Sequence, residues 1–150
     1  MNKRTQRFSA GASLCVSASL RFVLLLLLAS CSIPKLESPQ CSEAGDQVKE
    51  FYSWYLGTDA EMRAKQRDVY NRFVSPKFQT DVSEGTDSFF RSATPPTTFK
   101  IGKCESINDT QGKIQVQLYW RLESKTDQKE VYADIVRSGD RWLIKKVESR

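Results

Sequence analysis

From Ile114 to Glu123 the chain alternates without a fault. Ile114, Val116, Leu118, Trp120 and Leu122 are apolar, and Gln115, Gln117, Tyr119, Arg121 and Glu123 stand between them. A side-chain period of two marks a strand with one buried and one solvated face. Antiparallel sheets are where such half-buried strands are ordinary. The neighbouring segments agree. Thr97 to Glu105 reads as a strand, and Asn108-Asp109-Thr110-Gln111-Gly112 is turn material. Lys125 to Gln128 reads as a polar turn, after which Val131, Ala133 and Ile135 resume the alternation. Ser138-Gly139-Asp140 predicts a tight hairpin, and Trp142 to Val147 a closing strand.

The preceding segment has the other period. Val48, Phe51, Tyr52 and Tyr55 fall at the i, i+3, i+4, i+7 spacing of one buried helix face, which predicts a helix from about Ala44 to Leu56. Gly57 supplies a left-handed stop, and Thr58-Asp59-Ala60-Glu61 matches a capping box in which Thr58 caps and Glu61 reaches back. A second helix then carries Met62, Val69, Tyr70 and Phe73. Ser75-Pro76 repeats start chemistry for a short helix through Phe78 and Val82, ended by Gly85. Asp87-Ser88-Phe89-Phe90 forms one more turn before Pro95-Pro96 ends all helix. Helices first and a meander after predict an α+β fold, with N-terminal helices packed on a curved antiparallel sheet of about four strands.

The first thirty residues obey different rules. Lys3, Arg4, Arg7 and Arg21 precede an apolar block from Phe22 to Ala29. That block is too short to span a bilayer, which takes about 20 apolar residues. A positive segment, a short apolar core and small residues before a cleavage point describe a secretory signal. Five consecutive leucines, Leu24 to Leu28, argue against a buried strand or helix of the folded body. The run Leu28-Ala29-Ser30-Cys31 resembles the lipobox of bacterial lipoproteins. That resemblance implies cleavage before Cys31, acylation of Cys31 with two or three chains, and firm anchoring to a membrane. With Ser32 next, it also implies sorting to the periplasmic face of the outer membrane. The organisation expected is a signal peptide over 1–30, a lipidated tether over 31–43 holding Pro34 and Pro39, and one domain over 44–150.

Cleavage changes the charge balance. The chain has 23 Lys and Arg against 18 Asp and Glu, and the leader removes four basic residues and no acidic one, leaving 19 against 18. The basic character belongs to the discarded segment, so no basic stripe points to nucleic acid. Arg141, Lys145 and Lys146 read as a solvated strand edge. Cys15 leaves with the leader and Cys31 takes the lipid, which leaves Cys41 and Cys104. An oxidising envelope favours a disulfide between them, with two buried free thiols as the alternative.

The segment Phe51-Tyr52-Ser53-Trp54-Tyr55-Leu56, its lead-in Cys41-Ser42-Glu43-Ala44-Gly45, Asp87-Ser88-Phe89 and the closing Trp142-Leu143-Ile144 carry a second resemblance. Together they resemble a family of small bacterial envelope lipoproteins with a nuclear-transport-factor-two-like, or cystatin-like, domain. The resemblance implies a curved sheet wrapping a long helix, with a pocket at the open end of the cone. It transfers no catalytic residue.

The chemistry for catalysis is sparse. The chain has no histidine, which removes the commonest general base and metal ligand. Two cysteines without histidine argue against structural zinc, and no cofactor is called for. A lone carboxylate in an apolar cone could act as a base, and Asp87 and Asp134 are the candidates. For Asp87 a helix cap is the preferred reading, and for Asp134 solvent exposure. Trp54, Tyr55, Tyr119 and Trp120 could line a pocket, with plain core preferred. Tyr119 differs, since it shares the polar face with Gln117 and Arg121. Gln117, Tyr119, Arg121 and Tyr132 form a strip suited to protein contact, where Tyr and Arg are enriched. The first expectation is a non-enzymatic, lipid-anchored module that docks onto an envelope protein or assembly, or acts as an immunity protein. A small-ligand carrier using a pocket near Trp54, Tyr55 and Asp87 is the second, and an enzyme with a lone carboxylate base the third.

Overall fold

The computed structural model describes residues 38–149. The signal segment, the lipidation of Cys31 and most of the expected tether lie outside them. The first helix, α1, runs Pro39–Gly57, five residues earlier than the apolar stripe suggests. Ser38 is its N-cap, and its hydroxyl accepts from the Cys41 amide at 3.3 Å. Pro39 suits a first helical position because its missing N–H would have no partner there. The Ser-Pro pair that reads as tether is therefore helix start chemistry.

The far end of α1 also departs from expectation. Gly57 does not adopt positive φ, and the chain leaves through Thr58 in extended conformation. The last carbonyls are met instead by Arg63, whose guanidinium donates to the Tyr55 carbonyl at 2.7 Å and to that of Thr58. Asp59, not Thr58, caps the next helix and accepts from the Met62 amide at 2.7 Å. The expected second helix is two short ones, α2 at Ala60–Lys65 and α3 at Arg67–Phe73. Gln66 breaks them, and its side chain accepts from the Trp54 indole at 2.8 Å.

The segment at Ser75-Pro76 is not a helix. It is strand β1, Val74–Gln79, paired parallel to the last strand. Pro76 is compatible because β1 lies at the sheet edge, where a strand can spare a donor. Four further strands follow: β2 Thr98–Asn108, β3 Gln111–Leu122, β4 Lys125–Ser138 and β5 Arg141–Ser149. The sheet is open, with order β1-β5-β4-β3-β2, and antiparallel except at β1. It thus has five strands rather than about four. β5 lies inside it between β1 and β4, so Arg141, Lys145 and Lys146 are not on an edge strand.

The hairpin turns fix the register. β3 and β4 pair from Gln111 opposite Val136 to Leu122 opposite Lys125, which puts the turn at Glu123-Ser124 and makes Lys125 to Gln128 strand. The β2–β3 turn is held by Asn108, whose side-chain oxygen accepts from the Thr110 amide at 2.9 Å. Gly139 takes φ 66° in the β4–β5 turn, a conformation that glycine adopts without cost.

One layer of helix covers one face of the sheet. Val48, Phe51 and Tyr52 from α1 meet Ile114, Val116 and Leu118 of β3 and Val131 and Ala133 of β4, all at most 1 % exposed. Phe89 and Phe90 enter the same core from the loop before β2. A disulfide joins Cys41 at the start of α1 to Cys104 in β2, with Cα atoms 5.7 Å apart. Among the described residues no helix is long and apolar enough to cross a membrane.

Candidate functional site

The alternation of β3 and the register of the hairpins place one set of polar side chains on the sheet face away from α1. Gln117 lies opposite Glu130, Tyr119 opposite Gln128, and Gln115 opposite Tyr132. Directly opposed residues share a face and touch. The Tyr119 hydroxyl donates to the Gln117 side-chain oxygen at 3.1 Å, and the Gln117 amide donates to Glu130 at 3.4 Å. Tyr132 donates to the other Glu130 oxygen at 3.2 Å. Gln115, with Tyr132 and Gln117, holds that carboxyl below the usual carboxylate range. The Gln115 oxygen in turn accepts from the Lys103 amide at 3.1 Å, at a bulge in β2.

Three of the four expected strip residues are thus joined through Glu130: Gln117, Tyr119 and Tyr132. Arg121 lies further along the same strand and is exposed. Its backbone amide donates to the Thr97 hydroxyl at 3.0 Å, and with Thr97, Thr98, Tyr119 and Thr126 the residue lines a shallow cavity of about 260 Å³. Glu130 is the hub that sequence reasoning missed. Its signal was the cross-strand register, hidden once the β3–β4 turn was assigned to Lys125 to Gln128.

A second polar group lies nearer the β2–β3 turn. Lys113 stands 3.2 Å from Asp134 and 3.5 Å from Glu148, which also pairs with Lys146 at 2.6 Å. Asp134 is therefore half-buried and ion-paired rather than solvent-exposed. The Asp134 carboxylate beside it, with the Glu148 charge nearby, raises the Lys113 ammonium above its ordinary value. Lys146 holds the Glu148 carboxyl below its own. Opposite charges in register explain this set without any ligand.

The expected pocket residues sit on the other face. Asp87 Oδ1 accepts from the amides of Phe89 and Phe90 at 2.8 and 2.9 Å, and Oδ2 accepts from the Tyr55 hydroxyl at 2.8 Å. This is capping chemistry on a turn closed by Asp87 and Ser92. The space around it is filled by rings. Phe89 lies 4.7 Å from Phe51, 4.9 Å from Tyr55 and 4.9 Å from Phe78 between centroids. Trp54 stacks against Phe73. Burial raises the Tyr55 phenol well above its ordinary value, and the Asp87 charge adds to this. Trp54, Tyr55 and Asp87 are brought together, but as packed rings and a cap.

Among the described residues no three cysteine, aspartate or glutamate side chains converge in a way that could hold a metal ion. No protein-family model, no curated protein and no solved structure gives a significant match to the chain.

Proposed function

We propose that this chain is a lipid-anchored protein of a bacterial envelope, cut before Cys31 and docking through its open sheet face onto another envelope protein. The location rests on the basic leader, the short apolar core and Cys31 after Leu28-Ala29-Ser30. The resemblance to small envelope lipoproteins with a cystatin-like domain belongs to the same reading. A long helix followed by an antiparallel meander suits that domain.

The single observation that carries the docking role is the Glu130 hub. Gln115, Gln117 and Tyr132 converge on one carboxylate, and Tyr119 extends the chain toward Arg121. Side chains already ordered by one another lose less freedom when a partner binds. Tyrosine and arginine are also the residues that dominate protein contacts. The small-ligand and lone-carboxylate readings have less support, because Asp87 is engaged by three donors and Phe89 and Phe90 fill the space beside it.

The test is crosslinking in the native envelope with a photoreactive residue in place of Arg121. Capture of one protein, lost when Cys31→Ala releases the domain from the membrane, is the expected result. Membrane fractionation that is unchanged by Cys31→Ala would defeat the anchoring, and an absence of any specific adduct would defeat the docking.

A further inference from the structure

The N-cap of α1 is where a tether from Cys31 would join the domain. Ser38 caps α1 at one end of the sheet. Two residues on, the Gln40 side chain reaches Asp109 in the β2–β3 turn at 3.4 Å. Cys41 is then bonded covalently to Cys104 in β2. The start of the domain is therefore fixed to the β2–β3 hairpin. That hairpin also carries Ile107, an apolar side chain 58 % exposed. The comparable residue at the other end of β3 is Leu122, 56 % exposed.

Lengths decide between the two ends. Six residues lie between Cys31 and Ser38, so seven Cα–Cα steps separate the two. Fully extended, they reach roughly 25 Å. β3 has 12 residues and spans about 35–40 Å at the usual strand rise. Setting Leu122 on the lipid would lift Ser38 by about that span, further than the tether can follow.

Resting on the lipid anchoring proposed above, we infer that the β2–β3 hairpin end is held against the bilayer, with Ile107 as its apolar contact. An exposed isoleucine gains by leaving water for the boundary of the acyl layer. The disulfide keeps helix and hairpin together, so the whole domain inherits this direction. Tyr119 and Arg121, near the far end of β3, then point their strip away from the lipid. This leaves the strip open to a partner standing off the membrane.

The test uses the full chain, produced in a bacterial envelope and recovered with its lipid. It is placed in nanodiscs of phosphatidylethanolamine and phosphatidylglycerol containing a gadolinium-chelating headgroup lipid. Methyl NMR then reads Ile107 and Leu122. Broadening of the Ile107 methyl several-fold beyond that of Leu122 is the expected result. Equal broadening, or the reverse, in protein that co-elutes with the discs overturns the inference. Protein that elutes apart from the discs ends the anchoring reading beneath it, a result distinct from a bound domain with the wrong end broadened.

Discussion

The Tyr55 hydroxyl donates to Asp87 Oδ2 at 2.8 Å and ties the long helix to a loop 32 residues further along the chain. One turn earlier on α1, the buried Tyr52 hydroxyl donates to the Phe89 carbonyl at 3.0 Å. The two phenols, on one helix face, grip the loop that carries Phe89 and Phe90 into the core. That grip matters because the loop has little regular structure of its own. Arg91 in it adopts φ 55°, uncommon for a residue with a side chain, and is held there by the hydrogen bond its amide donates to the Asp87 carbonyl at 2.8 Å and by its ion pair with Asp81.

Asp87→Ala is expected to lower stability by about 2–3 kcal/mol, since it removes the acceptor of three hydrogen bonds and leaves the Tyr55 hydroxyl without one. Asp87→Asn keeps an acceptor for the two amides and should cost about half as much. Urea unfolding followed by tryptophan fluorescence reads both. A loss below about 0.5 kcal/mol for the alanine variant would mean the loop is held by its rings alone.

The same phenols set a limit at high pH. Burial raises Tyr52 and Tyr55 above their ordinary value, and the charge of Asp87 raises both further. A raised folded value means the folded state holds its protons longer than the unfolded chain. The associated stability is therefore present below about pH 10, where unfolded tyrosine titrates, and declines as pH rises beyond it. Stability measured by urea from pH 9 upward should fall steeply above that point. Tyr52→Phe starts lower, having lost its bond to Phe89, and should show a shallower fall. An identical slope in the variant would remove Tyr52 from the account.

Much of this architecture was legible in the sequence, and the failures share a cause. The inward side chains of β3 and the helix stripe of Val48, Phe51 and Tyr52 follow from periodicity alone, because burial acts on each strand and helix locally. β1 is hidden from a local reading because Ser75-Pro76 is good helix start chemistry. Its strand state comes from pairing with Ile144, some seventy residues away in the chain, which no local rule contains. Polar composition made Lys125 to Gln128 look like a turn, although these residues extend a hairpin whose register is set at Glu123-Ser124. That one misplacement hid Glu130. Tyr119, Gln117 and Tyr132 were visible as a polar strip, but the carboxylate that joins them could be found only from the register.

The Cys41–Cys104 bridge closes 63 residues of chain. Restricting the unfolded state by a loop of that size contributes about 2–4 kcal/mol. Replacing both cysteines by serine should lower the urea midpoint accordingly, and a reducing agent should do the same to the parent protein. The loss should appear first at the start of α1 and in β2, which the bridge joins directly. Hydrogen exchange of amides near Ala44 and Ile101 checks this. Uniform loss of protection across the sheet would instead place the bridge in the global unfolding unit.

Tyr119→Ala tests the docking face. Tyr119 lies on β3 between Gln117 and Arg121, half-buried by neighbours but outside the core that α1 covers. It gives up one hydrogen bond, to Gln117, so the expected loss of stability is below about 1 kcal/mol. A tyrosine at the centre of a protein contact typically contributes about 2 kcal/mol or more to binding, which corresponds to roughly a 30-fold loss of affinity. Partner recovery with the lipidated protein should therefore drop sharply while the urea midpoint hardly moves. Glu130→Gln provides the companion measurement. It preserves shape but removes the charge on which Gln115, Gln117 and Tyr132 converge, so it should loosen the strip and weaken capture to a lesser degree. If Tyr119→Ala instead unfolds the domain, the ring belongs to the fold. If both variants capture the partner as well as the parent does, docking occurs elsewhere on the molecule.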